Sequence, residues 1–329
     1  MKRAATLSII APCLNEEQAV APLVEKLLHT INQMVDMDIA SPQSYIILVD
    51  DGSTDSTWEN IERLHALHGD KVTGVKLTHN VGHQNALLAG LESALSGGCD
   101  ATITIDADLQ DDTAGIITMV QHFSEGYDIV YGVRDDRSSD TKFKRNSANM
   151  FYNMMQHFEP TIIKNHADYR LMSRRATEML LQYPERNLFL RGIVPQIGLK
   201  SCEINYSRNP RVAGKSKYPL ARMINFAVEG ITSFSIVPMR LIFIAGIVFM
   251  ICTLAVTIYV VSAIMMGRSI PGWASMMLSL WFIGSLILIA LGIIGEYVGK
   301  IYIEVKHRPR YFIDRITSSQ NEAENQKND

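Results

Sequence analysis

The sequence has few cysteines, and they show no pairing pattern. The 329 residues include four of them, Cys13, Cys99, Cys202 and Cys252. Their spacing fits neither a zinc site nor the framework of a small disulfide-stapled domain. These two classes of protein are therefore excluded, and a reducing compartment is expected.

Net charge is also small, at −3 at pH 7. No overall positive field therefore favours nucleic acid as a partner. Charge is absent altogether from two neighbouring stretches, 241–267 and 269–295, of 27 residues each. Each stretch exceeds the roughly 20 apolar residues that span a bilayer. Since two such stretches are rare side by side in a soluble domain, they predict a hairpin of two transmembrane helices with a turn at 267–273.

The basic residues around this hairpin are unevenly distributed. The turn holds Arg268 alone, whereas the outer ends carry Arg240, Lys300, Lys306, Arg308 and Arg310. Because basic residues favour the cytoplasmic side, both termini are expected there. No secretory signal pattern follows Met1, so the amino-terminal part is expected to stay in the cytoplasm of a multi-pass protein of the inner membrane.

Short apolar runs alternate with helical patterns through the first 132 residues. The runs have strand length and cover 7–10, 45–49, 72–77, 101–105 and 127–132. Helical patterns lie between them, one opening on the capping-box sequence Ser56-Thr-Trp-Glu59. The alternation predicts an α/β fold with a mainly parallel Rossmann-type sheet covered by helices. Ligands of such sheets bind at the carboxyl ends of the strands.

A cluster of carboxylates follows the fourth apolar run. If the extended backbone continued past Ile105, alternation would place Asp106, Asp108 and Gln110 on one side. Their oxygens suit Mg²⁺ or Mn²⁺ shared with substrate phosphates. An isolated Asp-x-Asp is more often a helix cap, so this interpretation depends on the motifs that accompany it.

Those motifs resemble family 2 inverting glycosyltransferases. They are Ala11-Pro-Cys-Leu-Asn15-Glu16, Val49-Asp50-Asp51-Gly52-Ser-Thr-Asp55 and Asp106-Ala-Asp-Leu-Gln110. Three later motifs resemble the polyprenyl-phosphate branch, with its bactoprenol glucosyltransferases and dolichyl-phosphate mannose synthases. They are Asn165-His-Ala-Asp168-Tyr-Arg170, Arg211-Val-Ala-Gly-Lys-Ser-Lys217 and Gly295-Glu-Tyr-Val-Gly-Lys-Ile-Tyr302. The resemblance covers nearly the whole chain except its tail.

The resemblance implies a GT-A-like fold and a set of site residues. The nucleotide-sugar would be bound by Pro12, Asn15, Glu16, Asp50, Asp51, His83 and Asp106. The metal, Mg²⁺ or Mn²⁺, would be bound by Asp106, Asp108 and Gln110, with Asp108 and the candidate base Asp168 as the catalytic residues. Independently of the resemblance, basic residues gather after Gly132, and a guanidinium fork pairs bidentately with phosphate. The candidates for phosphate and acceptor binding are Arg134, Arg170, Arg211 and Lys217. Taken alone, Asp50-Asp51-Gly52 favours an ordinary turn, since Asp and Gly are turn residues for conformational reasons.

The implied reaction is transfer of a hexose, glucose foremost, from a UDP-sugar to undecaprenyl phosphate at the cytoplasmic membrane face, with inversion. The implied partners are the donor, the lipid, the bilayer, a small membrane flippase and further copies of the chain. N-acetylglucosamine and other sugars stay open as alternatives. A processive polysaccharide synthase would carry Gln-x-x-Arg-Trp, yet none of the three tryptophans follows an arginine. A non-catalytic membrane scaffold would be expected to have lost a carboxylate of the metal set.

Four regions are expected along the chain. Residues 1–212 form the catalytic domain, 213–238 an amphipathic juxtamembrane segment, 239–298 the two transmembrane helices, and 299–329 a cytoplasmic tail with a disordered end. For 213–238, a helix buried against the catalytic domain explains the apolar spacing equally well.

Overall fold

The computed structural model describes residues 4–134, 166–186, 189–206, 237–266 and 272–317. Its strands are β1 Leu7–Cys13, β2 Tyr45–Asp50, β3 Val72–Leu77, β4 Ala101–Thr104, β5 Ile129–Arg134, β6 His166–Ser173, β7 Ser201–Tyr206 and β8 Ile313–Ile316. They form one sheet in the order β7-β5-β6-β4-β1-β2-β3-β8. The predicted α/β sheet is confirmed.

The helices lie between the strands and after them. They are α1 Val20–Asp36, α2 Thr57–His68, α3 His83–Ser96, α4 Ala114–Ser124, α5 Arg174–Leu181, α6 Leu190–Gln196, α7 Val237–Met265 and α8 Trp273–Val305. Helix α2 begins at the predicted place, but its Ser56 side chain makes no capping hydrogen bond. Asp55 Oδ1 accepts instead from Thr57 N at 3.0 Å. The predicted capping box is therefore wrong, because the acceptor is Asp55 and not Ser56.

Strands β4, β1, β2 and β3 are parallel neighbours. Their apolar side chains are buried, as shown by Ile9, Ile46 and Ile103, each 0% exposed. Burial on both faces is typical of a parallel strand covered by helices, and it explains the continuous apolar runs. The loops that follow β1, β2 and β4 therefore start from the same edge of the sheet.

Strand β6 runs antiparallel to both β4 and β5. Its residue Arg170 pairs with Thr104, the last residue of β4. Because β6 runs the opposite way, its first residues lie at the carboxyl edge of β4, and Thr104 Oγ1 donates to the backbone oxygen of Asp168. A segment more than 60 positions downstream thus reaches the same edge.

Strand β8 closes the other side of the sheet. It pairs antiparallel with β3, and beyond its end Thr317 N donates to Gly74 O at 2.9 Å. A Cβ at Gly74 would lie 2.5 Å from the Ile61 side chain, so only glycine fits. The described residues 308–317 belong to the same compact unit as those described before residue 207. The expected regions had placed this strand in a separate tail.

The second compact unit, 220–307, contains α7 and α8. Among the described residues, one stretch is long and apolar enough to cross a membrane, Phe282–Val305, and none of it is buried. Leu288 there is 70% exposed. Such a surface is typical of a helix solvated by lipid, which suggests membrane association. The predicted juxtamembrane segment lies largely outside the described residues.

Candidate active site

The first two loops at the carboxyl edge are tied together by hydrogen bonds. Asn15 N donates to Ser53 Oγ at 3.0 Å, and Asn15 Oδ1 accepts from Thr54 N at 2.8 Å. Asn15 has φ +55°, a left-handed conformation that asparagine tolerates better than most residues. Glu16 N donates to Thr57 Oγ1 at 2.9 Å. The predicted nucleotide residues after Pro12 are therefore held in one fixed arrangement.

Two buried carboxylates lie at the end of β2, with Asp50 0% and Asp51 3% exposed. Asp50 Oδ1 accepts from Ser53 N at 3.1 Å, while Oδ2 is buried without a hydrogen-bond partner in the described part of the chain. Asp51 accepts from Val81 N at 2.7 Å and Gly82 N at 3.1 Å. Burial raises the pKa of Asp51 despite these two bonds. Asp50 therefore keeps an acceptor available for an N–H donor.

The turn after these carboxylates requires glycine. Gly52 has φ +70°, and a Cβ there would lie 2.5 Å from Asn80 N. This close approach holds the third loop, residues 79–82, against the second. Helix α3 starts directly after that loop, so its first residue, His83, is brought to the carboxyl edge.

The loop after β4 does not continue as an extended strand. The strand ends at Thr104, and Leu109 has φ +60°. Asp108 Oδ1 accepts from Gln110 N at 3.2 Å, which closes a local turn. The prediction that Asp106, Asp108 and Gln110 alternate along a strand was therefore wrong in its backbone. A chain so rich in Asp and Gln turns easily, because short polar side chains bond neighbouring amides.

Two tyrosines support this loop from the sheet. Tyr206 OH donates to Asp111 Oδ1 at 2.9 Å, and Tyr169 OH donates to Asp112 O at 2.9 Å. The two rings meet edge to face with centroids 4.9 Å apart. Asp111 is only 4% exposed, so its carboxylate is part of the buried framework. The carboxylate loop is thus anchored at its end to β6 and β7.

Asp168 is held by two arginines. Arg170 Nη2 donates to its Oδ1 at 2.5 Å, while Arg191 donates to its Oδ2 through Nη2 at 2.9 Å and Nε at 3.2 Å. Arg170 Nη1 also donates to Leu190 O at 3.3 Å. Asp168 is 8% and Arg170 2% exposed. The carboxylate is therefore the centre of a largely buried ionic cluster.

His83 connects this cluster to the carboxylate loop. Its Nε2 lies 3.6 Å from Asp106 Oδ1 and 3.7 Å from Asp168 Oδ2. The next residue, Gln84, accepts from Leu190 N at 3.0 Å through Oε1. Helix α3 therefore brings together a predicted metal ligand from the loop after β4 and the predicted base from β6.

The charges of this cluster support one another. Burial alone would raise the pKa of Asp168, but Arg191, His83 and Arg170 outweigh it and hold that pKa well below its usual value. Burial likewise opposes the charged form of His83, but Asp168 and Asp106 raise its pKa. Asp168 is consequently an anion at neutral pH and a weak proton acceptor.

The predicted phosphate-binding arginines and lysine are only partly placed. Arg211 and Lys217 lie outside the described residues, as does the side chain of Arg134, whose backbone ends β5. Arg170 is buried beneath Asp168, which does not support the direct phosphate contact expected of it. Sequence reasoning missed Arg191. Its one signal was a single charge within the apolar run 188–194, where a charge needs a buried partner.

The predicted metal site has few protein ligands. Within the described ranges, no group of three or more His, Cys, Asp or Glu side chains is arranged to hold a metal ion. Asp106, Asp108 and Gln110 nevertheless offer hard oxygens on one anchored loop. This set fits Mg²⁺ or Mn²⁺ with the remaining positions filled by phosphate and water, not an all-protein site.

Comparison with known proteins identifies the family of this chain. The profile of glycosyl transferase family 2 matches residues 8–181. Glycosyltransferase YkoT of Bacillus subtilis, named as uncharacterised, is 47% identical over 94% of this chain and 91% of its own. The bactoprenol glucosyl transferase of Shigella phage SfV is 37% identical over 93% and 97%.

Among the solved structures to which the chain is similar is glucosyl-3-phosphoglycerate synthase from Mycobacterium tuberculosis with Mn²⁺, UDP and glucosyl-3-phosphoglycerate. It is 18% identical, with a TM-score of 0.46 over 69% of this chain and 78% of its own. The family assignment is based on the profile match and on the two relatives. The chain belongs to glycosyl transferase family 2, and it is a glycosyltransferase with a GT-A-like α/β sheet.

Proposed function

We propose that this protein transfers a hexose, glucose foremost, from a UDP-sugar to undecaprenyl phosphate at the cytoplasmic membrane face, with inversion and with a divalent metal. The observation that carries the proposal is the convergence on His83 of Asp106, from the carboxylate loop, and Asp168, from β6. The named activity of the phage relative supports the same lipid and sugar.

The donor would lie across the carboxyl ends of β1, β2 and β4. Asp50 and Asp51 would accept from the uracil edge, and the buried oxygen of Asp50 without a partner among the described residues supports this role. Pro12, Asn15 and Glu16 would line the nucleotide pocket. Asp106, Asp108 and Gln110 would hold a metal at the diphosphate, where it would neutralise the charge of the leaving group.

The reaction would be a single displacement. A phosphate oxygen of the lipid attacks the anomeric carbon, the bond from that carbon to UDP breaks, and the electron pair leaves with UDP. The acceptor needs little proton removal, because phosphomonoesters lose their second proton near pH ~6. Asp168, already an anion among cations, would position its neighbours and leave the acceptor's proton to solvent.

The apolar helices would bring the enzyme to its lipid substrate. α7 and α8 are 29 and 33 residues long, and an apolar helix of roughly 20 residues spans a bilayer. We propose that both cross the membrane as a hairpin with the termini in the cytoplasm. The flippase and the oligomer stay predictions.

The test is an assay on purified protein in detergent with undecaprenyl phosphate and a panel of UDP-sugars. We expect transfer from UDP-glucose into the lipid fraction, strict dependence on added Mg²⁺ or Mn²⁺, and loss of transfer in Asp108→Ala. If UDP-N-acetylglucosamine were the preferred donor, the proposed sugar would change but the proposed type of reaction would not. Full activity in excess EDTA, or no transfer from any donor, would contradict the proposal.

A further inference from the structure

The two arginines on Asp168 differ in their access to the crevice. The Arg191 side chain is 27% exposed, whereas that of Arg170 is 2% exposed. Both bind the same carboxylate, but on different oxygens, with Arg191 on Oδ2 and Arg170 on Oδ1. Arg170 therefore neutralises Asp168 from the interior, and Arg191 presents its guanidinium from the open side.

Arg191 is also held in a fixed place. Its preceding residue, Leu190, is bonded through N to Gln84 Oε1 at 3.0 Å and through O to Arg170 Nη1 at 3.3 Å. Its own fork uses Nε and Nη2 on the single oxygen Oδ2. A guanidinium with fixed backbone and fixed fork loses little entropy when it binds a ligand.

The position of the Arg191 guanidinium matches the charge of the proposed substrates. The Oδ2 atom that binds Arg191 is the one near His83, whose Nε2 also lies 3.6 Å from Asp106. The carboxylates of the loop after β4 are anions and would repel a phosphate unless a metal ion lay between them. A second source of positive charge is therefore needed at this edge. A guanidinium has five N–H donors, so an arginine that binds a carboxylate through one edge can bind a phosphate through N–H groups of another edge.

We infer that Arg191 binds a phosphate group of a substrate and that Asp168 is the positioning residue that aims it. This inference rests on the proposed function, because it takes its ligand from that reaction. The phosphate is either the diphosphate of the nucleotide-sugar or the phosphate of the lipid. Arg191 thus takes the role that the sequence assigned to Arg170.

The test compares Arg191→Gln and Arg191→Lys with Arg175→Gln in full-length purified protein. Arg175 is a matched control because it also pairs with an aspartate, Asp128, at 2.8 Å, and is 64% exposed beside the amino end of β5. Calorimetry with Mg²⁺ present gives the affinity for UDP and for uridine, which has no phosphate. Steady-state transfer gives KM for undecaprenyl phosphate separately from kcat.

We expect Arg191→Gln to weaken one phosphate ligand by about 10- to 100-fold, as loss of a charge-assisted hydrogen bond does. Arg191→Lys should recover part of that loss, because it keeps the charge without the fork. Weaker UDP binding with unchanged uridine binding would identify the donor diphosphate. A raised KM for the lipid with unchanged UDP binding would identify the lipid phosphate.

Two results would overturn the inference. One is a UDP affinity and a lipid KM both within twofold of the control in Arg191→Gln. The other is an equal loss for uridine and UDP, which would indicate general damage to the site. A wild-type protein that binds neither UDP nor the lipid would contradict the proposed function itself, and the inference with it.

Discussion

Asp168 and its two arginines show how one residue's surroundings decide its chemistry. We predict that Arg170→Ala lowers the free energy of unfolding by about 3–5 kcal/mol, the loss typical of breaking a buried ion pair. Its side chain is 2% exposed and bonds both Asp168 and Leu190 O. The measurement is the thermal unfolding midpoint in detergent, with UDP binding of the folded fraction as a second readout.

The matched control is Arg175→Ala, which removes a pair that is 64% exposed on the arginine side. Such pairs contribute about 1 kcal/mol or less, so its midpoint should stay near wild type. An Arg170→Ala protein as stable as this control would show that Arg170 is not part of the buried framework.

For single residues, the sequence predicted the candidate carboxylates of the site but not the burial and pairing of the arginines around them. Asp50, Asp106 and Asp168 could be named from their motifs. Arg170 is buried and Arg191 is partly exposed because of contacts between distant residues. Arg170 bonds Leu190, 20 residues away, and Arg191 bonds Asp168, 23 residues away. Local patterns do not contain such pairings, because they record only spacing along one element.

The loop between β4 and α4 is the element whose anchoring matters most for metal binding. We predict that Tyr206→Phe weakens Mn²⁺ binding in the presence of UDP, since its hydroxyl holds Asp111 Oδ1 at 2.9 Å. Loss of a hydrogen bond to a metal ligand typically lowers metal affinity by about 10- to 100-fold. Because Asp111 supports the ligand loop without being a ligand, the loss in Tyr206→Phe should lie at the lower end of that range. Calorimetric titration of Mn²⁺ measures the change directly.

Tyr127→Phe is the control, because that tyrosine lies before β5, at the opposite edge of the sheet. Equal Mn²⁺ affinity in both variants would mean that the anchor does not order the loop. Asp111→Ala should destabilise the fold as well, because Asp111 is buried and bonded to Tyr206, so it is not a suitable control.

Strand β8 is an element that the sequence did not predict. We expect a chain ending at His307 to unfold at a lower temperature than the full chain, because it loses the pairing with β3 and the bonds of Thr317 with Gly74 N and O. Each lost hydrogen bond is worth about 1 kcal/mol. A chain ending at Thr317 keeps all of them and is the control. Identical midpoints would contradict a role of β8 in stability.

The elements divide by the range of their contacts. β1 to β4 were predictable, because buried parallel strands leave apolar runs in the sequence. β6 was missed, since its polar start, His166 to Arg170, is strand only by pairing with β4 and β5. β8 was missed because every residue from Ile313 to Ile316 is exposed. A strand without a buried face leaves no apolar pattern in the sequence.

For the whole molecule, the membrane hairpin is the prediction with the largest consequence. A reporter between Ser269 and Pro271 should lie outside the cytoplasm, while one after Asp329 should lie inside, because positive charge collects at the hairpin's outer ends. The carboxyl-terminal reporter follows β8 and leaves that strand intact. Accessibility of each reporter in intact cells measures its side, and both on one side would exclude the hairpin.

The account depends most on Asp168 as a fixed anion and not a base. We predict that Asp168→Asn, measured on its folded fraction at saturating lipid, keeps measurable transfer. Its rate should rise with pH in parallel with wild type, with a midpoint near pH ~6 where the acceptor phosphate ionises. The pKa of Asp168 lies well below that range, so its own ionisation should not appear in the wild-type profile.

The decisive measurement is this pH–rate profile for both proteins, with lipid affinity determined separately. Parallel profiles with a constant ratio would support the positioning role. An Asp168→Asn protein that binds the lipid normally, yet shows no turnover at pH ~8 where the phosphate is fully ionised, would show that Asp168 acts in the chemical step itself.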